Sequence, residues 1–257
     1  RRWLTAQGIG WAEDPTNEAP RFDRVRTRRA LATLEGLGIG PEGLAETAER
    51  LASQRRVLQA AGRSLAATAR ETGPAGEAVL AVDALAQAER DTALRVLADT
   101  LCRAAGAAHP PRHAVADRLL ADILAPGFQG ATAAGCVIAP HGPGCVSVSR
   151  EPAALLAPVA LEPGAEWDGR VRVEASDVAG TLGALGAEAL AAMKRGDGPA
   201  MAPGWWKSPR PARLSSPAIR DAEGRLLAVL APGAALPDGI AVQRVAAGPF
   251  DRDPLSA

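Results

Sequence analysis

Apolar positions recur at helical spacing up to about residue 125 of this chain and at strand-like alternation beyond it. Leu44, Leu51, Leu58 and Leu65 fall seven residues apart on one long helical stretch that runs on towards Gly73-Pro74. The companion positions Ala48, Arg55 and Gly62 are too small or too polar for a zipper, so the pattern predicts one face of a helical hairpin or bundle. Leu94, Leu97 and Leu101 predict another helix, and Val115, Leu119 and Ile123, after Pro110-Pro111, a further one. Residues 1–9 read as the end of a helix closed by Gly8 and Gly10. Asp14-Pro15 then supplies an N-cap and the proline favoured at a first helical position, and Pro20 cuts that turn short. Residues 21–37 read as helix again, ended by Gly36, Gly38 and Gly40. Glycines that follow a helix and not a strand read as a C-cap and loop in preference to a phosphate cradle.

After Pro126-Gly127 the pattern changes. Cys136 to Ala139, a turn from Pro140 to Gly144, and Cys145 to Ser149 read as a β-hairpin, and Trp167-Asp168-Gly169 leads as a turn into a strand through Val171 and Val173. Residues 178–195 read as a helix despite their glycines, and 226–230 and 240–242 as short strands. No internal repeat is present. The expected fold class is α+β: residues 1–20 the tail of an upstream domain, 21–126 a helical bundle-like domain, and 127–257 a smaller α+β domain.

Composition narrows this picture. The 257 residues are 47% hydrophobic, yet only 3% are aromatic and tyrosine is absent, so bulky burial falls to leucine, valine and a few tryptophans. Lysine occurs only at Lys194 and Lys207, which makes nearly all positive charge guanidinium. Formal net charge is zero, which excludes wholesale electrostatic binding of nucleic acid, but residues 1–30 carry a local +3. Three cysteines, Cys102, Cys136 and Cys145, with no Cys-x-x-Cys pair, fit reduced cytosolic thiols. The uncharged stretch 128–149 is broken by Pro140, Gly142, Pro143 and Gly144, which excludes a spanning helix. The chain shows no signal peptide and opens at Arg1 inside a helical pattern, so it is expected to be a cytoplasmic fragment of a longer protein. Its oligomeric state is open, a homodimer included.

Chemistry concentrates near the start. Between residues 21 and 29 five arginines (Arg21, Arg24, Arg26, Arg28, Arg29) face one acid, Asp23, directly after Asp14 and Asn17 in a proline-bounded turn. On a helix Arg21, Arg24 and Arg28 lie within about 60° of one another. Like charges so placed repel one another and oppose the macrodipole. Such a cluster suits a polyanionic ligand, although a basic turn and helix start with no ligand is the simpler reading of the tract alone.

The ordered set Trp11, Glu13-Asp14-Pro15-Thr16-Asn17 and Arg21-Phe22-x-Arg24-x-Arg26-x-Arg28 resembles the signature at which the catalytic domain of bacterial tRNA(Ile)-lysidine synthases passes into its helical substrate-binding domain. It differs from the family's Asp-Pro-Ser-Asn and Arg-Asn-x-Ile-Arg elements at Thr16, which keeps the hydroxyl, at Val25 and at Thr27. The resemblance implies a carbon–nitrogen ligase. In that reaction ATP adenylates the C2 carbonyl oxygen of the wobble cytidine in an isoleucine tRNA with a CAU anticodon, and the ε-amine of free L-lysine displaces AMP. It implies ATP and Mg²⁺ as cofactors, no membrane partner, and guanidinium groups that stabilise the departing pyrophosphate. Arg24 and Arg28 are the expected catalytic residues, Asp14, Asn17 and Arg26 position substrate, and Arg21, Arg29, Arg55 and Arg56 contact tRNA. Arg50 and Arg63 stand beside the last pair on the long helix, where contact with RNA phosphates competes with a solvated face. The family's Ser-Gly-Gly-x-Asp-Ser nucleotide signature is absent from these residues, so the fragment is expected to hold tRNA recognition and the active-site rim but not the ATP site, and to be inactive alone. The rival readings are a non-enzymatic helical RNA-binding module and a related ATP-pyrophosphatase with another substrate.

Other constellations are weaker. His109 and His113 near Cys102 are split by Pro110-Pro111, which argues against zinc. Cys136 or Cys145 with His141 lies in a Gly/Pro-rich hairpin and reads as ordinary residues. Trp205-Trp206-Lys207 reads as an aromatic anchor for the C-terminal core before a base-stacking platform.

Overall fold

The structure, a computed structural model, describes residues 2–10, 21–246 and 248–250. The chain divides into two compact units, Arg1–Arg55 and Arg56–Ala257, and the division falls inside one helix.

The first unit contains α1 (Arg2–Ala6), α2 (Asp23–Gly36) and the beginning of α3 (Pro41–Ala69). Helix α2 ends as its glycines predict. Gly38 takes φ +81, its N–H reaches Glu35 O at 3.0 Å, and the Ile39 N–H reaches Leu34 O at 2.9 Å, a Schellman closure that satisfies two terminal carbonyls. Pro41 at the first position of α3 costs no hydrogen bond.

The leucine repeat of α3 is not its packing face. Leu44, Leu51 and Leu58 are exposed, and only Leu65 packs on a core. The buried positions are Gln59, Gly62, Ala66 and Ala69, spaced three and four apart along the C-terminal half of the helix. Small residues let that face approach closely. A Cβ at Gly62 would lie 2.5 Å from the ring of Phe250, so the phenyl group occupies the space that glycine leaves.

In the second unit α3 passes directly into β1 (Arg70–Thr72), which pairs with β2 (Ala78–Ala81). Then follow α4 (Val82–Gln87), α5 (Arg90–Ala105), α6 (His113–Leu124), β3 (Ala131–Ala133), β4 (Cys136–Pro140) and β5 (Cys145–Arg150). These strands form one antiparallel sheet in the order β1-β2-β5-β4-β3. Its core joins Leu80, Leu85, Leu97, Leu101, Leu120, Ile138 and Val148 from the sheet and from α4, α5 and α6. Over residues 56–126 the helices therefore lie on a sheet instead of forming a bundle among themselves. The change of pattern at residue 126 marks a switch from helix to strand inside one packed core, because β2 pairs with β5 across it. The hairpin of β4 and β5 matches its sequence reading.

The remainder is built from β6 (Val159–Ala160), β7 (Glu166–Trp167), β8 (Val171–Ser176), β9 (Gly180–Ala184), α7 (Gly186–Lys194), α8 (Pro203–Lys207), α9 (Arg210–Leu214), β10 (Pro217–Asp221), β11 (Leu226–Val229) and β12 (Ile240–Arg244). Two antiparallel sheets, β11-β10-β9-β6 and β12-β8-β7, enclose Trp167, Val171, Val173, Leu182, Ile219 and Ile240. Alternation along β10 sends Ile219 to that core and Ala218 to a second one with Leu190, Met193 and Trp205. The helix expected over 178–195 is half strand: residues 180–184 pair with β10, and only the part after Leu185 is helical.

Two glycines bring α5 and the β7–β8 turn into contact. Gly106 closes α5 at φ +63 and Gly169 turns at φ +61. A Cβ on Gly106 would lie 2.0 Å from Asp168 O, and one on Gly169 2.2 Å from Gly106 O. No other residue fits at either place. Among the described residues no helix is long and apolar enough to cross a membrane.

Candidate nucleic-acid interface

The N-terminal arginines stand on and just before α2. Asp14 and Asn17 lie outside the described residues. Arg21 precedes the helix, and Phe22 at the N-cap is extended with φ −95 and ψ 130. The helical face expected to join Arg21, Arg24 and Arg28 therefore holds only the last two, four residues apart. Phe22 takes the place of a polar cap: the guanidinium carbons of Arg21 and Arg24 stand 4.9 and 5.4 Å from its ring centre, which steers both side chains. Arg26 is held in an ion pair with Asp23. All five arginines are solvent-exposed, and Val25 is the buried anchor of this turn. The Arg28 side chain has no hydrogen-bond or ion-pair partner among the described residues. A run of exposed guanidinium forks on one helix start can engage phosphate oxygens bidentately without first breaking a buried pair.

Along α3, Arg50, Arg55 and Arg56 are exposed. Arg63 is already engaged, donating from Nη1 to Phe250 O at 3.0 Å, which gives it a structural task. His109 and His113 join no metal-binding group, since no cluster of three His, Cys, Asp or Glu side chains is placed to hold an ion among the described residues. Cys136 is buried and burial pushes its thiol up to about 12, the wrong direction for a nucleophile. Trp205 is buried and meets Trp206 edge to face at 5.0 Å, as an aromatic anchor does.

A second arginine assembly in unit Arg56–Ala257 escaped the sequence reading. Asp99 is fully buried, and its Oδ2 accepts from Arg70 Nη1 at 2.6 Å and Arg103 Nε at 2.8 Å. Asp168, also fully buried, accepts from Arg150 Nε and Nη2 at 3.0 and 2.9 Å and from Arg170 Nε at 2.8 Å. The bond to Asp168 raises the pKa of Arg150. Burial lowers that of Arg170 to about 10, still fully protonated at neutral pH. Asp168 sits at φ +55, a left-handed conformation that Asp tolerates better than most residues. The turn signal at Trp167-Asp168-Gly169 was legible, but nothing in it announces the ion pairs.

No family model matches the chain. It is 33% identical over 226 residues to the tRNA(Ile)-lysidine synthase of Ruegeria pomeroyi, a match covering 85% of this chain and 50% of that protein. To the enzyme of the same name from Hyphomonas neptunium it is 36% identical over 141 residues, 54% of this chain and 36% of that protein. To that of Rhizobium meliloti it is 33% identical over 192 residues, 72% of this chain and 39% of that protein. The chain thus spans half or less of the length of each of these relatives.

Proposed function

The chain belongs to the tRNA(Ile)-lysidine synthase family, and we propose that it is the C-terminal portion of such an enzyme, supplying tRNA recognition and one rim of the active site in the cytoplasm. One observation carries the reading: identity at one third of positions across 85% of the chain, in a sequence that opens with the motif of residues 11–29. The whole protein would ligate free L-lysine to C2 of the wobble cytidine of an isoleucine tRNA, at the expense of ATP.

The residues at hand do not fit an ATP and Mg²⁺ site. The Ser-Gly-Gly-x-Asp-Ser signature does not occur in the 257 residues, and no ion-holding cluster exists among the described ones. Adenylation is therefore assigned to no residue of this chain, and by itself the chain neither cleaves ATP nor modifies tRNA. Its contribution is positive charge at fixed places. Arg24 and Arg28, on one face of α2, stabilise the charge that builds on the leaving pyrophosphate. Arg26, tethered to Asp23, positions substrate with Asp14 and Asn17. Arg21, Arg29, Arg55 and Arg56 meet tRNA phosphates, which orient the RNA without reading its sequence.

The test is kinetic. In the complete protein, Arg24→Ala or Arg28→Ala lowers turnover by about 2–4 kcal/mol of transition-state stabilisation while tRNA affinity changes little. Weakened binding at unchanged turnover would reassign both residues to the phosphate backbone.

A further inference from the structure

The two buried aspartates and their arginines stand around a cleft of about 650 Å³ within the second unit, a volume in the range of small-ligand sites. Arg70, Arg103, Arg150, Arg170 and Arg244 line it, together with the hydroxyl residues Thr100, Ser149, Ser215 and Ser216 and the carboxylates of Glu71 and Glu77. Five guanidinium groups therefore face four carboxylates, counting Asp99 and Asp168. Those two aspartates have no exposed surface, so they hold the arginines from behind and present no negative charge to the cleft.

The pairs leave donors unused. Arg70 spends Nη1 on Asp99 and Thr100, and Arg170 spends Nε on Asp168 and Nη2 on Ser215 O. Arg244 donates from Nη2 to Leu230 O at 2.6 Å and has no carboxylate partner among the described residues. Its guanidinium stands over the β1–β2 turn, where a Cβ on Gly76 would meet Nη1 at 3.3 Å. Donors thus converge from β1, from the start of β8 and from β12. Acceptors are present as well. The hydroxyl of Ser149 already donates to Val137 O and that of Ser216 to Ala212 O, so each offers a lone pair to a ligand. Glu77 is buried, with Oε2 bound to Ala75 N at 2.9 Å and Oε1 without a partner.

We propose that this cleft binds a phosphate monoester of nucleotide size, its phosphate among Arg70, Arg170 and Arg244 and its hydroxyl groups towards the serines and Glu77. A monoester carries nearly two negative charges at neutral pH and three acceptor oxygens, matching fork donors that approach from three elements. An internal phosphodiester offers only two free oxygens and needs the chain to leave at both ends. The same chemistry arises in a free nucleoside monophosphate and in the 5′-phosphorylated end of an RNA. The proposal is independent of the ligase reading and of the α2 arginines.

Calorimetric titration of the 257-residue chain with AMP and with adenosine tests the site directly. A short RNA with a 5′-phosphate or a 5′-hydroxyl separates the two sources. AMP is expected to bind and adenosine not to. Arg244→Gln removes an exposed side chain that braces no buried acid, so the variant folds, and it weakens AMP by about tenfold or more. If 5′-phosphorylated RNA alone binds, and does so through Arg244, the cleft is a receptor for an RNA end. Equal affinity for the phosphorylated and unphosphorylated members of both pairs overturns the proposal, as does AMP or RNA affinity that Arg244→Gln leaves unchanged.

Discussion

Arginines are used in two opposite ways in this molecule. Those at the start of α2 are exposed and spaced within nine residues of sequence, with two steered by the ring of Phe22 and one by a surface pair with Asp23. Those around the cleft come from residues as far apart as Arg70 and Arg244, and four of them are fixed by an aspartate with no exposed surface. The first arrangement costs little to rearrange and suits a large, flexible polyanion. The second fixes guanidinium positions before any ligand arrives, which cuts the ordering cost of binding but makes each charge part of the fold.

The largest expected effect breaks the second arrangement. Asp168→Ala leaves Arg150 and Arg170 facing each other in a half-buried site without their shared acceptor, and is expected to cost about 3–5 kcal/mol. Urea denaturation compares it with wild type, and a loss below about 1 kcal/mol would show that the cleft arginines are no better braced than surface ones.

An effect of similar size, but spread over alkaline pH, comes from Cys136, whose pKa burial raises from 9.0 to about 12 against the lowering pull of Arg150 and Arg170. The folded state keeps the thiol protonated while the unfolded chain ionises, so its stabilising contribution is complete below pH 9.0 and is lost as pH rises towards 12. Across that window wild type loses stability relative to Cys136→Ala by about 1.4 kcal/mol per pH unit. Denaturation midpoints at several alkaline pH values check the slope, and parallel curves for the two proteins would mean that the thiol is hydrated. The smallest effect belongs to α2. Arg28→Ala is expected to change stability by less than about 0.5 kcal/mol, even though the proposed role of Arg28 predicts a large loss of turnover for the same change in the complete protein. A large loss of thermal stability would show that Arg28 is a structural residue after all.

The contrast also explains what could be read from sequence. The α2 cluster, the Schellman closure at Gly38 and the hairpin of β4 and β5 depend on residues within a few positions of one another, and local patterns exposed all three. Strands β1 and β2 have three and four residues; β1 follows α3 without a break, and β2 pairs on its other side with β5 more than 60 residues later. No alternation that short could signal them. The leucine repeat misled for a related reason: period alone does not say which stripe meets a partner, and here the stripe of Gly62, Ala66 and Ala69 does. The cleft was invisible because tertiary pairing alone selects its arginines from the many others in the chain.

Phe250, seated against Gly62 and linked through its backbone to Arg63 and Asp99, has a temporal consequence. Its contact with Arg63 spans 187 positions, so α3 emerges from a ribosome long before the ring that completes its packing has been synthesised. Closing so long a loop adds little entropic cost at equilibrium, since that cost grows only with the logarithm of length, but contacts of such separation form late and slowly. During translation the small-residue stripe of α3 and the apolar floor beneath Phe250 are exposed together, and the synthesis of Phe250 decides when that surface disappears.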